Sequence, residues 1–274
     1  MSKFVYMTLA YLSQQIKQKK SYLCIGLDTT LSKVPKYLQE SPDPIFEFNK
    51  SIIDATKDLC VAYKINTAFY EALGSKGWEI MERTVAYIPS THFKIADAKR
   101  GDIGNTSAQY ATAFFEVMDF DAITLSPYMG MDSIQPFLEY PGKWAILLAL
   151  TSNYGSGDFQ QLKVQDQYLY ETVINKASKW GNKDNLMFVV GATKTADIAR
   201  IRKLVPEHVL LVPGVGFQGG SLAEVSNAGL VNDAGLLVNV SRAIIYAGSN
   251  DKFAAEARII AQQYQHEMAS YIKN

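Results

Sequence analysis

Runs of buried-type residues alternate along this chain with polar, helix-patterned segments. Eight of the runs are rich in aliphatic, β-branched and aromatic residues, a composition typical of strands that are buried on both faces. The pattern therefore predicts eight short strands, and it leaves little polar surface on any of them. In chain order they are Tyr22–Asp28, Cys60–Ile65, His92–Ala96, Asp121–Ser126, Trp144–Leu150, Met187–Val190, Val209–Val212 and Leu236–Val240.

Between most of these runs, apolar residues recur every three or four positions, which is the period of an amphipathic helix. A helix at Leu9, Leu12 and Ile16 precedes the first strand, and a helix over Ala108–Val117 follows the third. Asp43 and Pro44 are suited to be the cap and first turn of the helix that begins near Ile45. Further helical stripes comprise Phe48, Ile52 and Ala55; Trp78, Met81 and Val85; Leu169, Val173, Ala177 and Trp180; and Phe253, Ala257, Ile260, Tyr264 and Met268.

The alternation of strands and helices indicates a parallel sheet, because parallel neighbours need a crossover connection. Eight such units in 274 residues favour a closed (β/α)8 barrel, the TIM-barrel architecture, over an open sheet. No Gly/Ser-rich linker or change of composition divides the chain. We therefore expect residues 1–274 to form a single barrel domain with an N-terminal helix before strand one.

Composition removes several classes of function. Lys plus Arg equals Asp plus Glu at 27 each, so there is no basic surface for nucleic acid. Cys24 and Cys60 lie in apolar runs, where buried thiols are usually inert, and they suggest neither a disulfide framework nor a zinc site. No signal-peptide cleavage site follows the N-terminus, and no apolar run reaches the roughly 18 residues that span a bilayer. We expect a soluble, cytoplasmic protein.

Charged residues occur where three successive predicted strands end. Asp28 ends the first strand and Lys64 lies near the end of the second, while Asp97 and Lys99 follow the third. In a (β/α)8 barrel these ends meet at one rim, where the chemistry of such proteins takes place. Asp97 and Lys99 are two residues apart and should project together, with Gly101 allowing a turn that re-aims Asp102.

The alternative is a solvated charged loop with an incidental ion pair. We disfavour it because ionised groups beside so apolar a strand cost several kcal/mol unless they are paired or used.

The segment after the seventh strand is rich in glycine. Gly214, Gly216 and Gly219 make a formal Gly-x-Gly-x-x-Gly match with Asp233 beyond it, but too little chain remains for a dinucleotide-binding sheet. Loops after the last two barrel strands are instead a usual phosphate site. Backbone N–H groups at Gly216 and Gly219, the Gln218 amide and the Arg242 guanidinium would bind the phosphate. The alternative is a plain Gly-rich turn with a surface arginine.

Taken together, these motifs resemble the orotidine 5′-phosphate decarboxylase family, in its longer bacterial-type form. The matching segments run in the family's order and cover nearly the whole chain. They are Gly26–Asp28, Ala62–Lys64, Asp97–Thr106, Leu150–Asn153, Pro213–Gly220 and Ser241–Arg242. The resemblance implies the conversion of orotidine 5′-phosphate to uridine 5′-phosphate and carbon dioxide in de novo pyrimidine biosynthesis, with no metal or other cofactor.

The resemblance also implies roles for individual residues. Lys99 is the expected proton donor to C6 of the pyrimidine, and Asp97 the carboxylate beside the substrate's own carboxylate. Asp28 and Lys64 are expected to bind the ribose and complete a charge network. Ser152 is the expected contact to the pyrimidine edge.

The phosphate and the partner subunit are expected to meet a second set of residues. Gln218 and Arg242 resemble the phosphate-binding pair. Asp102 resembles the acid that acts across a homodimer interface, in the neighbouring active site. Ile103 and Thr106 should lie at the same interface.

Two alternatives remain at the level of sequence. The first is a Mg²⁺-dependent relative, such as a keto-gulonate phosphate decarboxylase or a hexulose phosphate synthase. Relatives of that type supply an additional Glu soon after strand one, whereas Thr29–Lys33 offers no carboxylate here. The second is a non-catalytic sensor of phosphorylated ligands. A sensor needs only the phosphate site, so the presence of Asp28, Lys64, Asp97 and Lys99 argues against it.

Overall fold

Eight parallel strands form a closed barrel in the computed structural model, which describes residues 7–193, 195–216, 219–232 and 235–272. Strands adjacent in sequence are adjacent in the barrel, and the first strand pairs with the eighth to close it. The predicted (β/α)8 architecture is therefore confirmed. The strands are Leu23–Gly26, Ala62–Asn66, Phe93–Arg100, Ala122–Leu125, Trp144–Leu150, Leu186–Val190, Leu210–Pro213 and Leu236–Val240.

The barrel strands are almost entirely buried, because side chains fill the interior on one face and helices cover the other. This explains why they are apolar runs without alternation. The third strand is the exception in length: it continues to Arg100, well past the predicted end at Ala96. It does so because Arg100 pairs with Leu125 after a register shift between Ala96 and Arg100.

Helices follow most strands as the apolar spacing predicts. The helix after the third strand is Gly104–Thr112 and continues into a π-helical turn at Ala113–Val117, so it begins earlier than expected. Trp180 lies beyond the end of its helix at Ala177. None of the helices in the described ranges is long and apolar enough to cross a bilayer. The other helices are Leu9–Lys19, Lys36–Gln39, Pro44–Thr56, Ala68–Glu71, Ser75–Tyr87, Gln135–Leu138, Leu169–Ala177, Thr195–Leu204, Leu222–Gly229, Arg242–Ile245 and Phe253–Ala269.

The N-terminal helix Leu9–Lys19 is attached to the N-terminal end of the barrel. Its last residue donates from Nζ to the carbonyl oxygens of Lys57 and Cys60, at 2.7 and 2.8 Å. Just before the helix, the carbonyl of Met7 accepts a 2.7 Å hydrogen bond from the indole of Trp144, the first residue of the fifth strand. These contacts cover one end of the barrel and leave the C-terminal end to the loops.

Asp43 precedes the helix Pro44–Thr56 as predicted, but its side chain does not cap it. The carboxylate pairs instead with Arg83 and Lys76 of the neighbouring helix, the latter at 3.2 Å. Pro44 at the first helical position has no N–H, so one of the four donors that the start of a helix leaves unpaired is absent. The prediction of a capping side chain was therefore wrong. Both cysteines are free and buried, as expected.

Candidate active site

Four charged side chains meet at the C-terminal ends of the first three strands. Lys64 Nζ lies 2.8 Å from Asp97 Oδ2 and 3.5 Å from Asp28 Oδ1. Lys99 Nζ lies 2.5 Å from Asp97 Oδ1. Asp28, Lys64, Asp97 and Lys99 therefore form a continuous series of alternating charge, called the charged row below. The structure brings together all four residues that the strand ends suggested.

The register of the strands places these groups. Gly26 pairs with Lys64, and Asn66 pairs with Asp97. Lys64 and Asn66 project to the same face because they are two residues apart. The side chain of Lys64, on the second strand, is long enough to reach the Asp97 carboxylate on the third strand.

The two central groups of the charged row, Lys64 and Asp97, keep their charges although they are largely buried. Lys64 is only 3% exposed, and burial by itself lowers the pKa of its ammonium. The carboxylates of Asp97 and Asp28 outweigh burial, so the pKa of Lys64 is raised above its ordinary value. For Asp97, burial raises the pKa, but the ammonium groups of Lys64 and Lys99 reverse this and keep its pKa well below the usual range. Lys64 is therefore charged at neutral pH, and so is Asp97.

The backbone at Lys99 departs from a regular strand. Its φ of 47° is in the left-handed region, which costs a non-glycine residue roughly 1–2 kcal/mol. The positive φ angles of this motif occur at Lys99 and Gly104, and the strand ends at Arg100, just before Gly101. Lys99 N–H donates to Thr124 Oγ1 at 2.9 Å, and Thr124 Oγ1 lies 3.1 Å from Asp97 Oδ1. The register shift between Ala96 and Arg100 is therefore a β-bulge, and its left-handed residue directs the Lys99 ammonium back toward Asp97.

One cavity joins three members of the charged row to the loops after the seventh and eighth strands, and Lys99 is not among the residues that line it. Asp28, Lys64 and Asp97 line it on one side. Its other residues include Pro213, Gly214, Ser241 and Arg242. A single elongated ligand could therefore contact the carboxylates and the Arg242 guanidinium at the same time.

The glycines after the seventh strand build a tight loop. Gly216 and Gly219 have φ angles of 82° and 87°, and a Cβ at Gly216 would come within 2.3 Å of the Tyr264 hydroxyl. Their N–H groups donate to Gly220 O and Gly216 O within the loop, so in this conformation they shape the turn. Their contact to phosphate stays a prediction. Gln218 and Asp233 lie outside the described residues.

Four other predicted residues are not in the charged row. Ser152 is half-buried after the fifth strand, beside Gly191, and is not among the residues lining the cavity. The Asp102 carboxylate accepts the N–H of Ile103 at 2.8 Å and makes no ion pair with Lys99 of the same chain. Ile103 is 56% exposed, and Thr106 is exposed as well.

Sequence reasoning missed several residues that support the site. Tyr246 OH accepts from Thr30 N–H at 2.8 Å and donates to Asp28 O at 3.1 Å, which fixes the loop after the first strand. Thr124 and Asn239 are buried polar residues within otherwise apolar strands. A lone polar residue in a strand buried on both faces is the signal that could have identified them.

The fold and this site define the class: a (β/α)8-barrel protein with a charge-lined site at the C-terminal mouth of the barrel. Within that class, residues 21–258 match the Orotidine 5'-phosphate decarboxylase / HUMPS family. The chain belongs to that family.

Individual relatives agree with this assignment. The chain is 55% identical over 266 residues to the orotidine 5'-phosphate decarboxylase of Bacteroides fragilis, covering 96% of this chain and 97% of that one. The structure of Leishmania donovani OMP decarboxylase matches with a TM-score of 0.80 and 37% identity over 95% of this chain and 99% of that one. Leishmania donovani UMP synthase matches with a TM-score of 0.81 and 40% identity over 93% of this chain, which spans 56% of that protein.

Proposed function

We propose that this chain is an orotidine 5′-phosphate decarboxylase of de novo pyrimidine biosynthesis, converting orotidine 5′-phosphate to uridine 5′-phosphate and carbon dioxide. The charged row is the observation that carries the proposal, because it presents an ammonium beside a carboxylate at the mouth of the barrel. The family description also covers a HUMPS branch, so the choice of reaction is supported by the full-length relatives named as decarboxylases.

In this proposal Asp97 and Lys99 carry out the reaction. The bond between C6 and the substrate's carboxylate carbon breaks, carbon dioxide leaves, and the electron pair remains on C6. Lys99 Nζ then transfers a proton to C6 and regains one from solvent. A fixed ammonium beside the developing carbanion stabilises the charge that appears in the transition state.

Electrostatic repulsion supplies only part of the acceleration. Two carboxylates about 4 Å apart at an effective dielectric near 20 repel by roughly 4 kcal/mol. Slow reactions need up to about 23 kcal/mol of barrier lowering, so repulsion between Asp97 and the substrate cannot account for the whole. We assign the larger share to stabilisation of the transition state by Lys99, aided by binding energy from the phosphate.

The remaining residues bind and orient the substrate in this proposal. Asp28 and Lys64 bind the ribose and complete the charged row, and Ser152 contacts the pyrimidine edge. Arg242, which is among the residues lining the cavity, binds the phosphate. Gln218 and the loop that contains Gly216 and Gly219 enclose the same group.

The proposal includes the assembly and setting of the enzyme. Residues 1–274 act as one barrel domain, in a cytoplasmic homodimer that needs no cofactor. Asp102 acts in the active site of the partner subunit, with Ile103 and Thr106 at the interface. The exposure of Ile103 and Thr106 supports this arrangement, as does the Asp102 carboxylate, which accepts the N–H of Ile103 and does not pair with Lys99 of its own chain.

An assay of the chelator-treated enzyme with orotidine 5′-phosphate tests the proposal. We expect uridine 5′-phosphate and carbon dioxide to form in equal amounts, at a rate that chelation does not change. Activity that disappears on metal removal and returns with Mg²⁺ would support the metal-dependent alternative instead. Binding of the nucleotide without turnover would support the sensor.

A further inference from the structure

Thr124 connects the two groups that the proposed chemistry uses. It lies on the fourth strand and is 1% exposed. Its Oγ1 is 2.9 Å from Lys99 N and 3.1 Å from Asp97 Oδ1. One hydroxyl therefore contacts both the backbone of Lys99 and the carboxylate that Lys99 faces.

The direction of these two hydrogen bonds is fixed. A backbone N–H can only donate, and an ionised carboxylate can only accept. The Thr124 hydroxyl must therefore accept from Lys99 and donate its one proton to Asp97. Asp97 then has three donors: Lys64 on Oδ2, with Lys99 and Thr124 sharing Oδ1.

We propose that Thr124 is a positioning residue for the decarboxylation, one that keeps the Lys99 backbone in its left-handed conformation and fixes the carboxylate against which the Lys99 ammonium rests. The inference rests on the proposed function. Thr124 acts through Lys99 and Asp97 and is not itself a group that reacts.

Lys99 needs such support because little else restrains it. Its side chain is 50% exposed, and Asp97 is the partner of its ammonium within the described residues. Asp97 in turn faces Lys64 from the second strand, with Asp28 beyond it. If the Lys99 backbone relaxed out of the left-handed region, the ammonium would move relative to C6, and misplacement by about 1 Å can cost on the order of a hundredfold in rate.

Paired substitutions separate the hydroxyl of Thr124 from its shape. Thr124→Val keeps the branched shape and removes the hydroxyl, whereas Thr124→Ser keeps the hydroxyl and removes the methyl group. Thr56→Val is the matched control, since Thr56 is also buried and hydrogen-bonded, to Ile52 O and Tyr63 OH, but outside the site. The rate of orotidine 5′-phosphate turnover is divided by the concentration of sites that bind uridine 5′-phosphate in a titration. This gives kcat per binding site, so unfolded protein does not lower the value.

We expect Thr124→Val to lower kcat per binding site about tenfold to a hundredfold with KM changed little, the scale of one hydrogen bond to a charged group. Thr124→Ser should recover kcat to within about threefold of the wild type. Thr56→Val should lower the melting temperature without changing kcat per site. If Thr124→Val does not fold, Thr124→Ala makes the same comparison with a smaller side chain.

Wild-type kcat per site in Thr124→Val, or equal losses in the Val and Ser variants, would overturn the inference. An inactive wild-type protein would instead overturn the proposed function, so the two failures are distinguishable.

Discussion

At the scale of single residues, the charged row is stable because each ion has a neighbour of opposite sign. Asp97 is central to it, with Lys64 on one carboxylate oxygen and Lys99 on the other. Removing one partner of a buried ion pair leaves an uncompensated charge, which is more costly than the pair itself is favourable. The ion pairs of Asp97 therefore matter for the proposed chemistry and also for the stability of the fold.

Asp97→Asn should destabilise the fold by about 3–5 kcal/mol at pH 7, because Lys64 loses its nearest carboxylate. The pKa of Asp97 is depressed in the folded protein, so its contribution is present above the unfolded pKa of about 3.9 and disappears as pH falls through the lower folded pKa. The difference in the free energy of unfolding between the wild type and Asp97→Asn should therefore become smaller below about pH 4. Urea unfolding at several pH values measures it.

Asp251→Asn, at an exposed acid before the last helix, is the control and should leave stability unchanged. If the free energies of unfolding of the wild type and Asp97→Asn differed by the same amount from neutral to acid pH, ion pairing would not explain the stability of the charged row.

Individual site residues were predictable to different degrees. Asp28, Lys64, Asp97 and Lys99 could be predicted because charges at the ends of apolar strands are costly unless used. Thr124 was missed because threonine has a high strand propensity, so only its position as a polar residue in an otherwise apolar buried strand distinguishes it. The left-handed backbone of Lys99 could not be predicted because non-glycine residues rarely adopt it.

At the scale of elements, the loop after the fifth strand depends on a close approach to the sixth. Gly191 N–H donates to Leu150 O at 2.8 Å, and a Cβ at Gly191 would come within 2.8 Å of Ser152 N and Ser152 Cβ. Any side chain at this position must displace the segment that carries Ser152. The expected pyrimidine contact is therefore positioned by the glycine that follows the sixth strand.

Gly191→Ala should lower kcat/KM for orotidine 5′-phosphate roughly tenfold to a hundredfold, because displacement of Ser152 by a fraction of an ångström misaligns the pyrimidine. Gly157→Ala is the matched control, since a Cβ there meets nothing within 4 Å in the same loop. Steady-state kinetics of the two variants compare a glycine at which a Cβ would contact Ser152 with one at which a Cβ would contact nothing. Equal kcat/KM values would show that Ser152 tolerates displacement or does not contact the substrate.

Most elements could be predicted because burial on both faces makes parallel strands continuous apolar runs. The extension of the third strand through Ala98, Lys99 and Arg100 could not, because charged residues do not resemble a buried strand. The antiparallel hairpin formed by Lys163–Val164 and Gln167–Tyr168 was missed for a similar reason. Its strands are two residues each and largely exposed, so they leave no hydrophobic pattern.

At the scale of the whole molecule, we propose that a second copy of the chain completes the site. In a symmetric dimer each Asp102 would serve its partner's Lys99. Lys99→Ala and Asp102→Ala homodimers should both be impaired, but a mixed dimer would contain one site with both residues intact. Co-refolding equal amounts of the two variants should restore about a quarter of the wild-type activity, since half the dimers are mixed and half their sites are complete.

Size-exclusion chromatography before the assay establishes that the co-refolded protein is dimeric, and capture through an affinity tag carried by one variant establishes that mixed dimers have formed. Failure to recover activity from a mixture that does exchange subunits would place Asp102 outside the partner's site.

The central claim is that the Lys99 ammonium replaces a cofactor as the group that stabilises the carbanion and protonates C6. Release of carbon dioxide from orotidine 5′-phosphate by Lys99→Ala tests it directly, with Lys203→Ala, at an exposed helical lysine, as the control. The account predicts a loss on the order of 10³-fold or more for Lys99→Ala, an unchanged circular dichroism spectrum, and wild-type activity for Lys203→Ala. Carbon dioxide release by Lys99→Ala within about tenfold of the wild-type rate would contradict it.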